Sequence, residues 1–201
     1  MNTKIALGAA VAAAALLVTG CSNSTTEDHS AHPSTSVQAA PSHDATAVYN
    51  DADVHFATMM YPHHAQAIDM AELVPDRSTN AEVITLASEI EDAQKPEMDQ
   101  LTALLDQWGQ LAPSMDMSGM DGMEHGQTGM MEPDDMGALT SLSGQEFDRR
   151  WLTMMIEHHN GAVSMAEVEI DDGSNPDAIA MARSIVDTQK AEIDRMQQLL
   201  G

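Results

Sequence analysis

Cysteine, aromatic rings and positive charge are all scarce in this chain, and each scarcity removes a class of explanation. Cys21 is the only cysteine in 201 residues, so no intramolecular disulfide and no Cys-x-x-Cys metal clip can be built. Lys and Arg number 8 against 32 Asp and Glu, a formal net charge of −24. Nucleic acid is therefore excluded as a partner, because neutralising phosphates requires basic residues. No nucleophile–base constellation and no phosphate-cradling glycine loop can be picked out, and the chain reads as a non-enzyme. Two Phe, two Tyr and two Trp stand against 17 Met. What the sequence has in excess is thioether.

The first twenty residues have the layout of a bacterial secretory leader. Lys4 precedes the apolar run IALGAAVAAAALLV, and small residues lead to Thr19-Gly20-Cys21. The run is too short to span a bilayer. A small residue followed by Cys resembles a lipobox, which predicts cleavage before Cys21 and acylation of its sulfur. The mature chain would then be anchored to a bacterial membrane on its extracytoplasmic side; the alternative is an ordinary leader with a coincidental cysteine. A lipidated Cys21 leaves no free thiol, so any soft ligand outside the cytoplasm must be methionine.

Residues 21–46 are rich in Ser, Thr, Ala, Pro and Asp, without apolar periodicity, and read as a disordered tether. His29 and His32 in it are weak candidates for Cu(II). Residues 47–201 read as the folded part, interrupted by a Met-rich linker over 110–143. The flanking segments, 50–106 and 144–201, each read as a pair of helices. They are copies of one another: at an offset of 95 residues, 22 of the 53 positions from Asp53 to Leu105 are identical. The matches include Met59/Met154, Met60/Met155, His63/His158, His64/His159, Met70/Met165, Gln94/Gln189 and Glu97/Glu192. The expected architecture is all-α: a four-helix bundle made of two duplicated helical hairpins, joined by a long crossover. Asn175-Pro176 predicts a helix start. Pro62 and Pro96 fall inside predicted helices, where each removes one backbone hydrogen bond and favours a kink.

The repeated motif is MMxxHH, at Met59–His64 and Met154–His159. At about 100° per residue, Met59, His63, Gln66 and Met70 form one stripe, and Asp53, Met60 and His64 a second beside it. Met59/His63 and Met60/His64 are i,i+4 pairs, as are Met154/His158 and Met155/His159, so a thioether and an imidazole can share one ion. Such donors suit copper, Cu(I) above all, and by the same chemistry Ag(I); they do not suit Mg²⁺ or Ca²⁺. Against this, a Met stripe at helical spacing is commonly core filling, and buried histidines are commonly satisfied by hydrogen bonds.

The linker segment MDMSGMDGMEHGQTGMM places Met115, Met117, Met120, Met123, Met130 and Met131 among Gly, Asp and Ser, with His125 between them. A polar, Gly-rich stretch has no core for methionine to fill. It is a candidate secondary site for a soft monovalent ion, with a Met-rich drift in a low-complexity linker as the alternative.

The two segments of the form Asp-x-x-aromatic-x-x-Met leading to His-His-x-x-Ala-x-x-Met-Ala-Glu, at Asp53–Glu72 and Asp148–Glu167, resemble the signature of the family catalogued as DUF 305. That resemblance covers residues 50–201. It implies a ferritin-like four-helix fold in secreted or lipid-anchored bacterial proteins, some associated with copper. The combined expectation is a lipid-anchored, extracytoplasmic copper-binding protein that buffers, sequesters or transfers the metal. Two rivals remain at this stage. An envelope scaffold would use the bundle to bind a protein partner and the motifs for packing. A ferritin-like di-metal oxidase would need Glu three residues before its histidines, where this chain has Met60, Tyr61, Met155 and Ile156.

Overall fold

A computed structural model describes residues 48–111 and 129–201. The leader, Cys21, the tether and linker positions Met115, Met117, Met120, Met123 and His125 lie outside the described residues. Every regular element among the described residues is helical: α1 (Asp51–Glu72), α2 (Val74–Arg77), α3 (Ala81–Gln107), α4 (Pro133–Thr140), α5 (Gly144–Asp172) and α6 (Pro176–Leu200). The helices α1 and α3 run through Pro62 and Pro96 without a break. The short helix α4 lies inside the stretch that the sequence reads as linker.

Local chemistry sets the helix starts. Asn50 caps α1 with its side chain accepting from the Ala52 and Asp53 N–H groups, while the Asp53 carboxylate accepts from the Asn50 N–H, a reciprocal capping box. Asn80 caps α3, and its repeat mate Asn175 caps α6 ahead of Pro176, as the Asn-Pro pair predicts.

Packing then follows the inward stripes. The helix α1 packs on α3, α5 on α6, and α1 on α5, with a smaller contact between α3 and α6. Trp151 of α5 is fully buried and donates its indole N–H to the Met70 carbonyl of α1 at 2.9 Å, which fixes the start of α5 against the end of α1. At the other end, Asp53 accepts from the backbone N–H groups of Ser174 and Asn175.

The apolar core divides in two. One cluster gathers Met70, Val83, Leu86, Ile90, Phe147, Trp151, Met154 and Met155. The other gathers Phe56, Met60, Leu101, Leu105, Ala162, Met181 and Ile185. Each fully buried Leu, Ile or Met in them contributes roughly 1.5–3 kcal/mol by burial. Between the two clusters, every long helix places polar side chains inward.

Candidate metal centre

The polar layer is made of repeat mates. The helix α1 contributes His63 and His64, and α5 contributes His158 and His159; none is more than 1% exposed. The helix α3 contributes Gln94 and Glu97, and α6 contributes Gln189 and Glu192. On each helix these positions sit between residues of the two apolar clusters, so the layer crosses the molecule at mid-height. Burying this many polar groups is unfavourable unless they find partners.

Some of the partners are clear. His64 Nε2 lies 2.7 Å from a Glu97 carboxylate oxygen, and His159 Nε2 lies 2.8 Å from Glu192. The two pairs are the same pair written twice, at the offset of 95 residues. In a neutral ring the Nε2 proton donates to the carboxylate, which fixes the tautomer and leaves the lone pair on Nδ1. Those Nδ1 atoms are buried and have no hydrogen-bond partner.

The inner histidines meet each other. The rings of His63 and His158 are 3.7 Å apart between centroids, tilted by 36°. His158 is fully buried, and neither of its ring nitrogens makes a hydrogen bond of good geometry, although the His63 backbone faces the ring. Burial first, then the neighbouring imidazoles of His63, His159 and His64, hold its pKa well below the ordinary 6.5. His158 is thus held toward its neutral form, the form that can ligate a metal. Burial before anything else disfavours a proton there; a metal ion would offset the same cost only by sharing several donors in the layer.

The methionines divide. Met59 is 5% exposed and Met154 1%, one turn before the stacked histidines. Met60 belongs to one apolar cluster, and Met70 and Met155 to the other, while Met165 is partly buried at the edge of the first of these. Met131 is buried among Met70, Met154 and Met155, and Met130 is half-buried. Its neighbour's backbone is held by Gln66, whose side chain accepts from the Met131 N–H at 2.7 Å and donates to the Met131 carbonyl at 2.9 Å. Of the two described linker methionines, Met131 is thus clamped onto α1.

Among the described residues no three His, Cys, Asp or Glu side chains converge on one metal position. An ion in this layer would need thioether donors beside imidazole. Glu97, Glu192, Gln94 and Gln189 stand among the repeat matches but not among the candidate ligands read from the sequence. The usable signal was a polar side chain kept identical on the inward stripe of both second helices. The Gln94 and Gln189 amides are buried without a hydrogen-bond partner, which is the mark of a layer built for more than packing.

A second acid site lies away from the layer. The backbone N–H bonds from Asn175, Asn50 and Ser174, with help from Glu169, outweigh burial and hold Asp53 below its ordinary pKa. Burial, and then the adjoining Asp53 carboxylate, push Glu169 up to about 8. At neutral pH Glu169 thus favours its protonated form and donates to Asp53, which engages one of its two otherwise unpartnered carboxyl oxygens.

Comparison with known proteins converges on one group. The model of a domain of unknown function, DUF305, matches residues 53–200. A DUF305 fragment from Deinococcus radiodurans is 33% identical, over 76% of this chain and 97% of that one, with a TM-score of 0.67. A DUF305 protein from Streptomyces coelicolor, assigned as secreted, is 34% identical over 74% of this chain and 91% of its own, with a TM-score of 0.66. CopM in a Cu(II)-bound form is 32% identical over 74% of this chain and 95% of its own, with a TM-score of 0.63. CopM has also been solved in Cu(I)-bound and Ag-bound forms that match this chain. No curated protein matches it.

Proposed function

The chain belongs to the DUF305 family, and on that footing we propose that it is an extracytoplasmic copper-binding protein. It takes up Cu(I), and Ag(I) by the same chemistry, to buffer it or hand it on. The observation that carries this reading is the buried His158 ring packed 3.7 Å from that of His63, between two carboxylate-held imidazoles, with Met59 and Met154 one turn away. Soft thioether and neutral imidazole select monovalent copper over hard divalent cations. That CopM takes Cu(I), Cu(II) and Ag supports the same assignment here.

The four long helices are read as a four-helix bundle of two duplicated hairpins, with the Met-rich segment as crossover and a looser secondary store. Cys21 carries the lipid, and the tether holds the bundle off an extracytoplasmic membrane face. The chain is read as a carrier, not an enzyme. Each outer histidine does meet a carboxylate, but from a facing helix and not from the Glu-x-x-His spacing that di-metal oxidases use.

Anaerobic competition for Cu(I) against a chromogenic chelator tests the reading. The double variant His63→Ala/His158→Ala is expected to retain its helical circular dichroism and to lose the tighter phase of binding. Unchanged affinity in that variant would overturn the bundle site.

A further inference from the structure

A cavity of about 100 Å³ opens between α1 and the second half of α5, lined by Ala52, His55, Phe56, Met59, Met165 and Glu169, with Val168 at its rim. His55 is exposed, Met165 is partly exposed, and Met59 is almost fully buried. His55 was not singled out from the sequence, because its partner methionine comes from another helix. On α1, His55 stands one turn before Met59 and His63 one turn after it, all within about 40° of one face. The ligand types therefore run imidazole, thioether, imidazole, from solvent to the buried stack.

We infer that His55, Met59 and Met165 form a solvent-open docking site for a soft monovalent cation, Cu(I) or Ag(I), from which the ion passes along Met59 to His63 and His158. No electron moves in this transfer; the ion exchanges His55 and Met165 for the inner imidazoles while Met59 stays bound. The inner wall is Glu169, whose carboxyl is turned to Asp53, so the opening is apolar and sulfur-rich with no lysine or arginine in its lining. Thioether and imidazole donors at such a mouth favour a soft cation over Mg²⁺ or Ca²⁺.

The repeat supplies an internal control. The mates of His55, Met59 and Met165 are Arg150, Met154 and Met70. There the imidazole is replaced by a guanidinium paired with Asp135 of α4, and Met70 and Met154 are sealed from solvent alongside Met131. The Gln66 clamp on Met131 holds that cover in place. One copy of the constellation is thus covered by Met131 and α4 of the linker stretch and the other is left open, which gives the polar layer a sulfur-lined way in on the His55 side.

This inference relies on the proposed copper centre only for the ion's destination. The test is a titration of the full chain with Ag(I), a redox-stable probe, following ε-methyl-labelled methionine and histidine ring resonances. The Met59 and Met165 methyls and the His55 ring are expected to shift at the lowest Ag(I). In the variant His55→Ala/Met165→Leu these early shifts should be lost, and the His63 and His158 shifts should need more Ag(I) or arrive more slowly. Both substitutions are at exposed or partly exposed positions and leave the core packed. Shifts at His63 and His158 with His55 and Met165 unmoved would overturn the docking site while leaving the buried centre standing. Shifts at the mouth with His63 and His158 unmoved would uphold the docking site and refute the buried centre as its destination.

Discussion

At Glu97 and Glu192 a single carboxylate decides which nitrogen of a buried histidine is available. Each accepts from Nε2 and so presents Nδ1 of His64 or His159 to the interior. Replacing Glu97 with Gln keeps the volume and removes the charge that favours this tautomer. Outer-shell partners of this kind are worth about 10–100-fold in metal affinity. Glu97→Gln is therefore expected to weaken Cu(I) binding within that range in a competition titration, with helical content unchanged; unchanged affinity would assign the pair to packing. Glu169 and His158 are the residues whose shifts act on stability between about pH 4.5 and 8. The folded pKa of Glu169 is raised from 4.5 to about 8, so its contribution to stability is full below 4.5 and is lost as pH rises toward 8. The folded pKa of His158 is depressed below 6.5, so its contribution is present above 6.5 and is lost as pH falls below it. Between about 4.5 and 6.5 the two slopes oppose each other, and above 6.5 Glu169 acts alone. The metal-free protein is expected to lose thermal stability as pH rises from about 6.5 to 8. Glu169→Gln should flatten that limb, and an identical limb in the variant would refute the assignment.

The elements show what could be read in advance. The helices, their Asn caps and their inward Met and His residues follow from periodicity and from the repeat, because local spacing alone fixes which side chains share a face. The facing partners are another matter. Whether His64 meets Glu97 depends on how α1 lies against α3, and spacing within one helix carries no information on that. Gln66 illustrates the same limit: it sits on the predicted stripe, yet its role is to grip the Met131 backbone from outside that stripe. The helix α4 was hidden within a stretch whose Gly, Pro and Asp content reads as loop. Gly129 was hidden too, and its place is exacting. Its φ of +70° is left-handed, and an added Cβ would stand 2.5 Å from the Glu157 carbonyl and 3.2 Å from Gly161. Gly129 lies against Gly161, the mate of Gln66, so the chain crosses α5 where that helix has no side chain. Gly129→Ala is expected to cost about 1–3 kcal/mol, from strain and displaced contacts. Denaturant unfolding would measure it, and faster proteolysis after Met131 would show that the clamp had opened.

Taken whole, the molecule places a polar, duplicated layer between two apolar clusters and keeps a net charge of −24 over the full chain. A sum of burial alone would favour leucine at the eight layer positions, since buried polar groups weaken a core unless every one is satisfied. Retaining four histidines, two glutamates and two glutamines there is intelligible if the layer receives a ligand, and the acidic exterior favours the approach of a cation. The duplication gives the layer its internal two-fold pattern, while His55 against Arg150, and Met131 on one side only, make the two halves unequal in access. The measurement that tests the central claim most directly is X-ray absorption at the copper edge on the full chain loaded anaerobically with less than one equivalent of Cu(I). The account predicts a mixed shell of imidazole nitrogen and thioether sulfur, which loses its nitrogen in His63→Ala/His158→Ala. An all-sulfur shell, unchanged in that variant, would contradict it and move the first copper to methionines outside the helices.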